Sequence, residues 1–173
     1  MDRRPNPEVI LESALGWDLA VRGNTAFVAH GFFGVGVYDI SNPANLKWRD
    51  QIFWLGKRFV TVAASENLVA AGTKKGKVFL HRISKEMESV GEIDAQGRIS
   101  KVDFHNGLLW VLGKHDAWVE VYDVTDPEDP VKMGEITTGA EEYFRGRFMG
   151  PRAYTFEGKN VKSYRFEADG EEQ

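Results

Sequence analysis

The sequence predicts an all-β fold: a four-bladed β-propeller built from four repeats of about 42 residues. Three observations predict it. Residues 37–46 read VYDISNPANL, and residues 121–130 read VYDVTDPEDP, nearly the same phrase again. Apolar stretches that follow tight-turn signals, AFVA (26–29), LVAA (68–71), LWVL (109–112) and AYTF (153–156), start 42, 41 and 44 residues apart. A second set of anchors, Ile40, Ile83, Val124 and Phe166, closes strand-like runs at separations of 43, 41 and 42. Two independent anchors sharing one period identify a repeat, and four strand signals per repeat at this length read as a propeller blade.

The first repeat shows each element in order. WDLAV is followed by a turn at Arg22-Gly23-Asn24, then TAFVAH, a glycine-rich link, GVGVYDI, a proline turn at Asn42-Pro43, and LKWRDQIFW. These are short β-branched and aromatic runs bounded by Gly, Asn, Asp and Pro, the pattern of strands and tight connections. LESALGWDLAV could be forced into a helix, but Gly16 lies mid-run and the repeat claims its second half as a strand. Several strands (FVA, VFL, LLWVL) are apolar on both faces. That suits a sheet held between two neighbours better than a half-solvated one. On this reading the chain is one domain, with blade 1 at about 16–54, blade 2 at about 57–94, blade 3 at about 99–138 and blade 4 at about 143–166.

Blade 4 ends one strand short, and EADGEEQ after it reads as a frayed polar tail. The N-terminal segment EVILESAL, residues 8–15, resembles the fourth strands MESVGEI and VKMGEI. It is expected to complete the last blade beside residues 161–166, which would remove an open edge. Two geometries fit. One is a closed four-bladed ring in a monomer, the simpler solution. The other is a half-ring, in which a dimer supplies eight blades.

Composition narrows the function classes. A length of 173 residues suits one self-supporting core, and 42% hydrophobic with 28% charged residues is ordinary for a soluble globular chain. The net charge of −4 and pI of about 5.6 argue against nucleic-acid binding through a general basic field. No cysteine is present, which removes disulfides, thiolate nucleophiles and Cys-ligated zinc. Apolar runs fall short of a bilayer span, so no membrane contact is expected. MDRRPNPEVILESAL lacks the apolar region of a secretory signal, which points to a cytoplasmic location.

The stretch GNTAFVAHGFFGVGVYDISNPANLK resembles the LVIVD-repeat family, whose blades carry a G-N-x-A-Y-V-A element, a short glycine-rich link, an apolar strand ending in aspartate and an S-x-P-x-x-P turn. NGLLWVLGKHDAWVEVYDVTDPEDPVKMGEI is similar to it nearly as closely. The second repeat keeps the strands but not the aspartate and proline (HRISKEMES), and the fourth keeps only the strand pattern. The resemblance covers about residues 16–166 and implies a propeller without implying an activity. Members of that family are often cell-surface proteins, and the missing signal here departs from that.

No catalytic motif is present: the sequence has no G-x-S-x-G, Walker loop, H-E-x-x-H or G-x-G-x-x-G. His30, His81, His105 and His115 lie in different repeat contexts and read as structural, so neither a metal nor another cofactor is expected. Asp39 and Asp123 end corresponding strands just before proline turns. Their expected role is to accept backbone N–H bonds from those turns rather than to do acid–base work. Asp126, Glu128 and Asp129 lack the spacing and glycine of a dedicated calcium loop.

One end of the propeller stands out. Its loops carry the cations Lys57, Arg58, Lys74, Lys75, Lys77, Arg98, Lys114 and Arg145, and the aromatics Trp17, Phe32, Phe33, Trp54, Trp118, Tyr143 and Phe144. Arginine and large aromatics dominate binding hot spots. In HGFFGVG two adjacent phenylalanines cannot share one pocket, so at least one is expected to be exposed. The plain alternative is that the lysine turns are solvated and the aromatics plug a narrow ring. The expected function is a non-enzymatic interaction module that uses this cationic–aromatic face to hold an acidic protein partner or another subunit. A lectin-like propeller would instead stack sugars on Trp17, Trp54 and Trp118. An enzyme acting on a small anion would use Arg58, Arg98 and Arg145 as its clamp.

Overall fold

In the computed structural model, residues 16–52, 56–84, 86–113, 118–137, 146–149, 152–157 and 160–165 are described. They form fifteen strands in four antiparallel meanders. Sheet 1 holds β1 (Asp18–Arg22), β2 (Thr25–Ala29), β3 (Val35–Asp39) and β4 (Lys47–Ile52). Sheet 2 holds β5 (Phe59–Ala64), β6 (Leu68–Thr73), β7 (Lys77–Arg82) and β8 (Glu88–Asp94). Sheet 3 holds β9 (Ile99–His105), β10 (Leu108–Gly113), β11 (Trp118–Asp123) and β12 (Val131–Thr137). Sheet 4 is three-stranded, with β13 (Gly146–Met149), β14 (Arg152–Glu157) and β15 (Asn160–Arg165). The first strands pack in sequence: β1 on β5, β5 on β9, and β9 on β13. Residues 8–15, expected as the closing strand, and the tail after Arg165 lie outside the described residues.

The repeat extends to hydrogen bonds. The Asp39 carboxylate accepts the Ser41 N–H at 2.9 Å, and Asp123 accepts the Thr125 N–H at 2.8 Å. One step on, Asn42 caps Ala44 and Asp126 caps Glu128, each at 3.0 Å. These are the side-chain turns expected of Asp and Asn ahead of proline, and they make both aspartates turn formers. A further regularity has no counterpart in the sequence pattern. The pairing of third with fourth strand slips by one residue at Val37/Tyr38, Leu80/His81 and Val121/Tyr122, the same place in three sheets. Each slip is a β-bulge, which bends the outer strand and increases its twist.

The core lies between the sheets. In β6 all six residues are buried, with Val69 and Ala71 facing sheet 1 while Leu68 and Ala70 face sheet 3. Strand β10 repeats this: Leu109 and Val111 face sheet 2, and Trp110 and Leu112 take the other side. Two-sided burial explains the near-continuous apolar runs of these strands. Spacing between sheets 2 and 3 is set by backbone, since a Cβ on Gly91 would lie 1.9 Å from the Pro127 carbonyl oxygen.

Where the first strands converge, a polar knot joins three sheets. Asp18 of β1 accepts hydrogen bonds from the Thr61 hydroxyl (2.7 Å), the Val62 N–H (2.9 Å) and the Lys101 ammonium (2.7 Å). The Thr61 oxygen in turn accepts the Val102 N–H at 3.1 Å. A second buried charge sits in sheet 3. Glu120, 1% exposed, accepts from the Tyr122 hydroxyl at 2.9 Å and from Lys132 at 2.8 Å. Burying these groups is tolerable because each polar atom is met by a partner.

Candidate functional site

Four connections meet at one end of sheets 1 and 2. The β2–β3 loop holds Phe32 and Phe33 between Gly31 (φ 63°) and Gly34 (φ 85°). Both glycines adopt the left-handed conformation that a side chain disfavours. That geometry turns the loop back on itself, with the His30 N–H donating to the Gly34 carbonyl at 2.9 Å. It also leaves both phenylalanines outside, at 62% and 61% exposure. The expectation that at least one would be exposed is met by both.

The loop is pinned to its neighbours. The Phe59 N–H donates to the Gly31 carbonyl at 3.0 Å, and the Lys74 N–H donates to the Arg58 carbonyl at 2.9 Å. The Ala95 N–H donates to the Gly76 carbonyl at 2.8 Å, which ties the next connection in. Within the β6–β7 turn, Thr73 Oγ1 exchanges two 3.0 Å hydrogen bonds with the backbone of Lys77. The face is therefore built on backbone bonds between loops, which orders it ahead of any ligand.

These loops line an open cleft of about 810 Å³. Phe32, Lys57, Arg58, Lys74, Lys75, Lys77 and Arg98 all border it, so the structure brings together seven residues singled out from sequence. The Arg58 guanidinium lies over the Trp17 ring at 4.4 Å and over the Phe32 ring at 5.6 Å. Lys57 lies 5.6 Å from the centre of the Phe79 ring. Cations held over aromatic faces retain their charge for a partner. Lys77 is different: Asp94 and then Glu92 bond it, at 2.8–3.0 Å, and hold its ammonium above the usual lysine range. Among the described residues, Lys57, Arg58, Lys74, Lys75 and Arg98 have no carboxylate partner. Unneutralised positive charge beside exposed aromatics is the chemical character of the cleft.

A second cleft, of about 690 Å³, opens among the β1–β2, β5–β6 and β9–β10 turns, the connections at the other ends of these strands. Its cations are met: Arg22 bonds Glu66 at 2.6 Å, and Arg82 lies 3.9 Å from both Glu88 and Glu128.

Not every expected residue serves the first cleft. Trp118 was expected at a ligand face, but it is 3% exposed within the core between sheets 2 and 3. A Cβ on Gly113 would lie 2.3 Å from its indole, and one on Gly97 would lie 3.3 Å away. Two glycines thus make the hollow that receives the ring, and it offers no stacking surface. Trp17 is half-exposed with Arg58 over its ring. Trp54, Lys114, Phe144 and Arg145 lie outside the described residues. Sequence reasoning missed Asp94, which borders the cleft while neutralising Lys77. Of the histidines, His30 is buried with Nε2 2.8 Å from the Tyr38 hydroxyl, and His81 is buried too. Burial pushes the His81 pKa down to about 4. Among the described residues, no three His, Cys, Asp or Glu side chains gather in a metal-binding group, and no helix is long and apolar enough to cross a membrane.

Neither a family model nor a curated protein sequence matches the chain. Solved structures do. The computationally designed Ika4 protein superposes with a TM-score of 0.68 at 15% identity, covering 92% of this chain and 96% of its own. The WD40 repeats of RRP9 superpose with a TM-score of 0.71 at 13% identity, covering 92% of this chain and 51% of theirs. Sqt1 of Saccharomyces cerevisiae gives 0.72 at 9% identity, covering 87% and 45%. The chain therefore spans about half the length of the RRP9 and Sqt1 structures. At these identities the likeness concerns fold alone, and it is the conclusion the sheets already support: this is a WD40-like β-propeller fold.

Proposed function

We propose that the chain is a non-enzymatic interaction scaffold that holds an acidic, aromatic-bearing segment of a partner protein in the cleft between Phe32, Arg58 and Arg98. One observation carries this reading: the exposed ring of Phe32 and cations without a described carboxylate partner line one cleft of a chain whose net charge is negative. Such a cleft supplies hot-spot residue types and steers an acidic partner. Among the described residues that border it, the one carboxylate, Asp94, is bonded to Lys77, and this supports a binding role over a catalytic one. Burial of Trp118 takes away one of the three stacking platforms a lectin reading requires.

A fluorescein-labelled peptide rich in Asp and Glu and carrying one tryptophan serves as the probe. Anisotropy titration is expected to give saturable binding that weakens as salt rises. Arg58→Glu and Arg98→Glu should each weaken it at least tenfold. Equal affinity for wild type and both reversals would refute the assignment.

A further inference from the structure

Sheet 1 has two faces of different fate. Ala20, Phe27 and Val37 point toward sheet 2 and join its core. The residues between them form the other face, and the strand register shows which they are. Val21 stands opposite Ala26, Ala26 opposite Tyr38, and Tyr38 opposite Trp48. Leu19 stands opposite Val28. Residues directly opposite each other share a face, so this is an apolar sheet surface. Leu19 is 58% exposed, Val21 54% and Trp48 58%. Sheets 2 and 3, in contrast, have apolar residues buried on both faces. Ala26 and Tyr38, between Val21 and Trp48, are buried, so the exposed apolar groups stand on the first and last strands of this face. Large apolar groups left exposed on a sheet face mark a site that another surface covers.

In a closed four-sheet ring the chain's own last sheet would lie on Leu19 and Val21. Both residues are more than half exposed, which is more than a covering sheet would leave. Sheet 4 instead takes its place through the packing of β13 on β9. Two of the matched structures give the other half of the argument, while Ika4 is matched over 96% of its own length. The chain superposes on about half of the RRP9 and Sqt1 propellers, so a ring of that size has room for a second array of equal length.

We propose that the outer face of sheet 1 is a subunit interface whose occupant is the last sheet of a second copy of this chain. The same contact made twice about a two-fold axis closes two half-rings into one ring, as expected of a symmetric dimer. Inside the chain each sheet already packs on the next in this sense, so the interface repeats an existing mode of packing. The apolar character of the face fits an obligate contact, which resembles a core cut in two. The inference uses residues that do not line the cationic cleft and does not rest on the function proposed for it.

Light scattering coupled to gel filtration tests it on the full chain. Wild type is expected at twice 19.5 kDa. The double variant Leu19→Glu/Val21→Glu should halve the mass while keeping the far-ultraviolet dichroism of a β protein. Should that pair fail to fold, Trp48→Glu on the outer strand supplies the second arm and should also shift the mass toward 19.5 kDa. A wild-type mass of 19.5 kDa would overturn the inference. So would a dimer mass kept by folded variants, or masses well beyond two copies, which would mean open-ended assembly.

Discussion

The guanidinium of Arg58 lies 4.4 Å from the centre of the Trp17 ring, joining the approach to sheet 1 with the connection that leads into sheet 2. Partly exposed pairs of this kind contribute about 0.5–1 kcal/mol. Arg58→Ala should therefore lower unfolding stability by about 1 kcal/mol. Arg58→Lys should lower it by less, since the charge remains but the planar stack is lost. Denaturant titration followed by tryptophan emission checks both. An alanine variant as stable as wild type would show that the stack contributes nothing.

Asp18 and Lys101 form a partly enclosed pair, with side-chain exposures of 19% and 22%. Removing one partner strands the other, and the backbone of Val62 loses its acceptor as well. Asp18→Ala should cost about 2–3 kcal/mol, more than Lys101→Met, because Asp18 serves three donors. A double-mutant cycle should return a coupling of at least about 1 kcal/mol. Additive effects would mean that the contact is not energetically formed.

Glu120 offers a sharper case because its carboxylate is buried. Lys132→Met leaves that charge with only the Tyr122 hydroxyl, and the expected loss is about 3 kcal/mol. Glu120→Gln combined with Lys132→Met removes the stranded charge and should recover most of that loss. Thermal denaturation of wild type and both variants measures it. A double variant as unstable as Lys132→Met would show that packing, not charge, sets the cost.

Stability should fall as the solution is acidified, and two kinds of group set the windows. His81 has a pKa of about 4 in the fold against about 6.5 when unfolded. The unfolded chain thus takes up the proton first, and stability drains away as pH falls from about 6.5 to 4. His81→Gln should flatten that part of the profile. Asp39 and Asp123 are held below the usual carboxylate range by hydrogen bonds from Ser41 and Thr125. Their contribution is present above about pH 4 and is lost as pH falls further. Urea midpoints collected from pH 3 to 8 report both windows.

Much of the architecture was legible because repeats print their period on the sequence. GVGVYDI, KVFLHRI and WVEVYDV became β3, β7 and β11, and the turn roles of Asp39 and Asp123 follow from local chemistry that needs no knowledge of neighbours. The gathering of Lys57, Arg58, Lys74 and Arg98 was legible for the same reason, since equivalent loops of a repeat share one end. Trp118 was misplaced because its fate depends on Gly97 and Gly113, whose lack of side chains matters only once sheets 2 and 3 are in contact. The Asp18–Thr61–Lys101 knot went unseen for a related cause. It is a matter of register between first strands of different sheets, which a period of about 42 residues does not specify to the residue. The repeated outer-strand bulge needs the pairing itself to be visible.

Thr61 has a consequence for how the molecule comes apart. Arrays whose members touch only their neighbours can shed an end unit while the remainder stays intact. Here one hydroxyl bonds to sheet 1 and accepts from sheet 3 while belonging to sheet 2, so detaching any of the three breaks a bond on which another depends. The amide hydrogens of β1, β5 and β9 should then exchange with solvent at a common rate, as one cooperative unit.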